Sequence, residues 1–220
     1  MDAALKSKGE SMDNRLETPE MQERIKWAKT KISELVEEPS KNEFQAIFVM
    51  AIVTPILDEL GADPAVIVGG HAVELYTSGS YKTADVDLVM IRDDLARMLF
   101  DRLGFVREGR FYFVPELDIP IEIPSSDLAG SKDKIYKVNT PDGYCYVIGI
   151  EDLVLDRLRA AEYWTDERSL EWARYLMSAQ FNSIDIDYMR ETASQEDLKL
   201  LERLNREYTW VVEHMDSNDK

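Results

Sequence analysis

Asp85 and Asp87 flank Val86 in the run Thr83-Ala-Asp-Val-Asp-Leu-Val89, whose aliphatic and β-branched residues read as a strand. Side chains at i and i+2 of a strand leave the same face, so the spacing predicts two carboxylates projecting together. Such a pair repels unless a proton or a cation lies between its members. Upstream, the apolar run Ala65-Val-Ile-Val68 ends in Gly69-Gly70 and continues into a short helical pattern over 71–78. A glycine turn lets the backbone approach a ligand closely, and free amides at a helix start attract phosphate. Oxygen ligands suit magnesium, which commonly combines one or two carboxylates with substrate phosphates. The pattern predicts a site for a metal-bound nucleoside triphosphate.

Further carboxylates that could join the pair lie downstream. The run Leu117-Asp-Ile-Pro-Ile-Glu-Ile123 largely alternates, which puts Asp118 and Glu122 on one strand face and the aliphatic residues on the other. Four strand residues span roughly 13 Å, so only one of the two can join the pair. The Ile-Glu-Ile context favours Glu122, with Asp118 as the alternative. His71, directly after the glycines, and Lys82, three residues before Asp85, are candidates for phosphate contact; a structural histidine and a loop lysine are the plainer readings. The segment Ile184-Asp-Ile-Asp-Tyr188 repeats the Asp-x-Asp spacing, but it follows Asn182-Ser183 without a glycine turn and reads as a helix cap. Cys145 alternates with Tyr144 and Tyr146 and reads as packing. Glu74 reads as structural. Tyr163, Trp164 and Trp172 read as core between two helices.

These groups need elements to hold them. Residues 1–18 are polar and aperiodic and are expected to fray. Ile25, Ala28, Ile32 and Leu35 recur at helical spacing in a helix from Pro19 to Glu38. A second helix follows with a broad apolar face from Phe44 to Leu60, and Pro55 is expected to kink it or delay its start. Arg92-Asp-Asp94 opens a helix faced by Leu95, Met98, Leu99 and Leu103 and closed by Gly104. Short strands are expected at 105–107 and 110–114, and Pro120 suggests that the 117–123 strand has a free side or a bulge. A hairpin turns at Pro141-Asp-Gly143, and helices cover 151–163, 166–179, 186–192 and 195–213.

The chain has 220 residues, a formal net charge of −17, 45% hydrophobic residues and one cysteine. The apolar content suits a packed domain. The charge disfavours extended non-specific binding to nucleic acid. One cysteine builds neither an intrachain disulfide nor a cysteine-rich zinc site. No apolar run has the length of a membrane span, and residues 1–8 hold no signal-type apolar segment, so no membrane association and a cytoplasmic location are expected.

The Gly69-Gly70 turn, a short helix and Asp85-Val-Asp87 on the next strand resemble the nucleotidyltransferase superfamily with the polymerase-beta-like core. Fourteen residues separate Gly70 from Asp85, slightly more than is usual there. The phrasing Gly69-Gly-His-Ala-Val-Glu-Leu-Tyr76 with Lys82-Thr-Ala-Asp-Val-Asp-Leu88 looks closest to minimal abortive-infection or toxin-like members. Ile150-Glu-Asp-Leu-Val-Leu-Asp-Arg-Leu158 resembles the segment after their core, where Arg157 occupies a basic, nucleotide-contacting position; a surface arginine paired with Glu151 or Asp152 is the alternative. The resemblance, over about residues 64–180, implies an α+β fold. Its parts are a mixed β-sheet of nucleotidyltransferase type (62–150), N-terminal helices (19–61) and a C-terminal helical region (151–220).

The resemblance also implies a magnesium-dependent transfer of a nucleoside monophosphate from a triphosphate such as ATP to a hydroxyl of an RNA, protein or small molecule. Asp85, Asp87 and Glu122 would hold two Mg2+ ions, or Mn2+, and Gly69, Gly70, His71, Lys82 and Arg157 would contact the nucleotide. An antitoxin protein is an expected partner. A non-catalytic nucleotide sensor or partner-binding module is the alternative.

Overall fold

The computed structural model describes residues 14–37, 44–79, 86–89, 94–109, 111–114, 117, 119–125 and 128–215. The chain divides into two units: 1–71 with 83–128 and 136–147, and 72–82 with 129–135 and 148–220.

The first unit is built on a seven-stranded mixed sheet. Its strands are β1 (Val66–Val68), β2 (Val86–Val89), β3 (Val106–Glu108), β4 (Phe111–Val114), β5 (Ile119–Ser125), β6 (Tyr136–Thr140) and β7 (Gly143–Val147), in the order β3-β4-β5-β2-β1-β7-β6. β1 runs antiparallel to β2 and parallel to β7, while β2 and β5 run parallel. Helix α1 (Pro19–Val36) starts at Thr18, whose hydroxyl accepts the Met21 amide at 3.2 Å, and buries Ile25, Ala28, Ile32 and Leu35. Residues 1–13 of the stretch expected to fray lie outside the described residues. Within 14–18, which were expected to fray, Leu16 is fully buried and Arg15 donates to the Leu60 carbonyl, so these residues are held despite their polar composition.

Helix α2 (Gln45–Glu59) starts before Pro55 and continues through it, so the proline does not delay the start. Proline cannot donate to the carbonyl four residues back, here that of Ala51. Gly143 covers that carbonyl: a Cβ at Gly143 would stand 2.2 Å from the Ala51 oxygen. The hairpin turn expected at 141–143 is thus also a packing surface for α2, and only a glycine fits there. Tyr144 and Tyr146 both donate to Asp58 Oδ2, at 2.7 and 2.9 Å. Between them Cys145 is fully buried, and burial pushes its thiol up to about 12, so it is neutral and inert.

Pro120 lies inside a central strand paired with Phe113 of β4. The bulge expected near it comes later: β2 and β5 slip register between the Asp87–Glu122 and Val89–Ser125 pairs. Helix α4 (Asp94–Leu103) buries Leu95, Leu99 and Leu103 as its period predicts, and Phe100 packs on Phe105 and Tyr112 at centroid distances of 5.2 and 5.0 Å.

The second unit is helical: α5 (Ile150–Tyr163), α6 (Glu167–Ala179), α7 (Ile186–Glu196) and α8 (Leu198–Met215). Leu153, Leu158, Ala173, Leu176, Met189, Leu200, Leu204 and Val211 form its core. Helix α3 (Gly69–Tyr76) opens in the first unit and ends in the second, where Tyr76 donates to the Ile148 carbonyl at 2.9 Å. Trp164 and Tyr163 correct an expectation: they are 75% and 46% exposed rather than core. Helix α5 ends at Tyr163, so the helical period that would bury Trp164 does not reach it. No described helix is long and apolar enough to cross a membrane.

Candidate active site

β1 is short and apolar, and the chain leaves it directly into α3 through Gly69 at φ +63°, a left-handed conformation that favours glycine. β2 lies beside β1, with Asp87 opposite Val68, the residue just before the turn. The strand therefore delivers the Asp87 carboxylate to the glycine. A Cβ on Gly69 would stand 2.3 Å from Asp87 Oδ2 and 3.2 Å from its Cγ. Gly69 thus has a second task that spacing did not reveal. The turn that was expected to admit a phosphate also holds open the place of a carboxylate.

On its other side Asp87 is the register partner of Glu122 on β5. Neighbouring strands lie about 4.8 Å apart and register partners point to the same face, so the two carboxyl groups stand side by side. Glu122 is 8% exposed and is flanked across β4 by Phe111. The row Phe111–Glu122–Asp87–Val68 places two acids together between apolar neighbours. Two adjacent carboxylates with limited access to water suit a hard cation.

Asp85, Asp118 and Lys82 lie outside the described residues. Among the described residues no group of three or more histidine, cysteine or acidic side chains is arranged to hold a metal; the donor set on view is the Asp87–Glu122 pair. Gly70 and His71 are the second and third residues of α3, and His71 is 8% exposed.

Arg157 belongs to the helical unit, on α5, and its Nε donates to Asp156 Oδ2 at 3.0 Å, rather than pairing with Glu151 or Asp152. Those two acids have other tasks. Asp152, 1% exposed, accepts the Ser131 amide and the Tyr188 hydroxyl, each at 2.8 Å. Glu151 accepts the Asp185 amide at 3.0 Å. The network is invisible in sequence because its partners lie more than twenty residues away. The Asp-x-Asp repeat at 185–187 is a cap: Asp185 accepts the Tyr188 amide at 3.0 Å at the start of α7.

No protein-family model matches the sequence, and no curated protein matches it. The architecture, however, is similar to that of an antigenic nucleotidyltransferase-like protein from Paracoccidioides brasiliensis, with a TM-score of 0.50 and 14% identity, covering 76% of this chain and 93% of that one. The fold is nucleotidyltransferase-like. A second solved structure, the antibiotic-resistance factor ANT(2'')-Ia, gives a TM-score of 0.41 at 14% identity over 73% of this chain and 91% of its own, too loose a likeness to carry an argument. In the nucleotidyltransferase-like fold seen here, the glycine turn after β1 and the acids of β2 and β5 lie on adjacent strands of one sheet.

Proposed function

We propose that the chain is a nucleotidyltransferase: it moves a nucleoside monophosphate from a triphosphate, ATP being one candidate, to a hydroxyl of an acceptor and releases pyrophosphate. The observation that carries this reading is the register pairing of Asp87 with Glu122 beside the Gly69-Gly70 turn. Magnesium, or manganese, fits the donor chemistry, and Asp87 and Glu122, with Asp85, are the residues proposed to hold it. Divalent ions held there would supply charge neutralisation to the displacement.

The chain's own groups bind and orient. The left-handed turn at Gly69 and the first amides of α3 face the triphosphate oxygens, and His71, Lys82 and Arg157 are proposed as further nucleotide contacts. The acceptor oxygen attacks the α-phosphorus as its hydroxyl proton passes to solvent, the bond to the bridging oxygen breaks, and pyrophosphate leaves. Glu122 is the carboxylate we assign to the acceptor side. A toxin-like role, with an antitoxin protein as partner, rests on the sequence resemblance alone.

The test uses the full chain with labelled triphosphates, magnesium and RNA, protein and small-molecule acceptors. We expect triphosphate binding and magnesium-dependent pyrophosphate release, both lost in Asp87→Ala. If no triphosphate binds, no acceptor is labelled, and Asp87→Ala changes nothing, the reading is wrong. Tight binding without pyrophosphate release marks a nucleotide sensor instead.

A further inference from the structure

Beyond Glu122 the acid-bearing face of the sheet continues onto β4 and β3, and its character changes. Antiparallel register sets Phe111 beside Glu122 and Phe113 beside Pro120; on β3 it sets Val106 beside Phe113 and Glu108 beside Phe111. Register partners share a face and side chains alternate along a strand, so these residues lie on the same side of the sheet as Asp87. The two phenyl rings stand 6.1 Å apart between centroids, inclined at 55°. They are half-buried, as is Pro120, and Val106 is 47% exposed. The alternate residues of β4 face the other way and are covered. Tyr112 packs on Phe100 with centroids 5.0 Å apart, and Val114 is buried. One face of β4 is thus core. The other is an apolar shelf one strand spacing, about 4.8 Å, from the buried Glu122.

The charge around the shelf is one-sided. Arg107 of β3 turns to the opposite face, where its guanidinium lies 5.8 Å from the Tyr112 centroid. The described residues that β3, β4 and β5 set on the shelf side are acidic or apolar, and the exposed Glu108 closes its outer end. In the proposed reaction the charge of the triphosphate is met on the other side of Asp87, by the Gly69 turn and the cation. Among the described strand residues the shelf offers nothing of that kind, so a second phosphate-bearing molecule would meet carboxylates there.

We propose that Val106, Phe111, Phe113 and Pro120 seat the acceptor, and that this acceptor is a small ring-bearing alcohol without phosphate, not an RNA end. Its ring lies on the phenyl pair while its hydroxyl reaches Glu122 on the next strand. The shelf selects by shape and by the exclusion of anions. The acceptor role rests on the nucleotidyltransferase reading; the ring site itself does not.

The probe is 4-methylumbelliferyl glucoside, a neutral flat-ringed compound with free hydroxyls, titrated onto the full chain with magnesium and read by fluorescence anisotropy. Its dianionic counterpart, 4-methylumbelliferyl phosphate, should bind at least tenfold more weakly. Phe111→Ser and Phe113→Ser should each weaken glucoside binding about tenfold, the scale of one lost stacking contact. Phe111→Tyr should retain it, and Tyr136→Ser, on an exposed ring of the opposite edge strand β6, should leave it unchanged. Thermal unfolding checks that each variant folds. Labelled ATP, titrated in parallel, should bind wild type and Phe111→Ser alike. Absence of glucoside binding, equal binding by wild type and both serine variants, or phosphate binding as tight as that of the glucoside overturns the proposal. Glucoside binding without ATP binding overturns the transferase reading and the acceptor role with it, and leaves the ring site standing.

Discussion

Two Asp-x-Asp segments, one hundred positions apart, share their spacing and nothing else. Asp87 lies on a strand between a glycine turn and Glu122, so its close neighbours include another carboxylate. Asp185 lies at a helix start, where its oxygens take the Tyr188 amide at 3.0 Å and the Lys134 ammonium at 3.2 Å, and Asp187 is exposed near Arg190. Glu207 extends the contrast. It is 1% exposed, and Arg174, Arg203 and Arg206 all donate to it. A carboxylate answered by cations and amides has completed its work within the fold. Asp87 and Glu122 instead stand beside each other on adjacent strands, and the proposed function gives that pair a cation to hold. It is the surroundings, not the motif, that tell these two segments apart.

The largest expected difference is in turnover. A bound metal supplies several kcal/mol of charge stabilisation to a phosphoryl-transfer transition state. At about 1.4 kcal/mol per tenfold, Asp87→Ala or Glu122→Gln should lower pyrophosphate release by roughly 10³-fold. Asp187→Ala should leave it unchanged, measured in the same assay. If Asp187→Ala costs as much as Asp87→Ala, the contrast between the segments collapses.

Next comes stability in the helical unit. Glu207→Ala removes the buried acceptor that three arginines share; those arginines reach solvent and Arg203 keeps Glu162, so it should cost about 1.5–3 kcal/mol in denaturant unfolding. Burial alone would raise the Glu207 carboxyl, but hydrogen bonds from Arg174 and Arg206 outweigh it and hold the group below its usual range. The folded value lies below the unfolded one, near 4.3. The stabilisation is therefore complete above about pH 4.3 and is lost as pH falls through the depressed folded value. Glu207→Ala should flatten that acid limb.

What was legible in the chain was whatever acts over a few residues. Hydrophobic period marked α1, α4 and the last four helices, and Asp185 read as a cap because its partner is three residues away. The strand, glycine turn and helix from Val66 to Tyr76 were readable for the same reason. Non-local packing was not. Nothing in Gly143 says that it covers the Ala51 carbonyl, and nothing in Gly69 says that Asp87 occupies its missing side chain. Strand character favours Glu122 in the sequence, whereas its neighbourhood with Asp87 depends on β5 pairing with β2 across an intervening helix and two strands. Trp164 departs from expectation because aromatic composition suggests burial, while the point at which α5 ends decides exposure.

Gly69 sharpens the comparison at intermediate size. Gly69→Ala pays a left-handed backbone cost of about 1–2 kcal/mol, whatever surrounds it. The close approach to Asp87 adds an overpacking term of about 1–3 kcal/mol. Asp87→Ala should remove the second part and leave the first, so a double-mutant cycle read by denaturant unfolding should show about 1–3 kcal/mol of coupling. Additive effects would mean that the carboxylate is not seated against the glycine, whether or not the pair holds a metal.

The smallest effect belongs to Asp185. The Tyr188 amide first, and the Lys134 ammonium second, hold its carboxyl below the usual value, near 3.9 when unfolded. The sign matches that of Glu207: the contribution is present above about pH 3.9 and disappears as pH falls through the lower folded value. Asp185→Asn keeps an oxygen for the Tyr188 amide but drops the charge that Lys134 meets. The variant should therefore lose little stability at neutral pH and show a shallower loss in acid, with pyrophosphate release unaltered throughout. A change in turnover without a change in the acid limb would assign Asp185 a role beyond capping and remove the clearest difference between the two Asp-x-Asp segments.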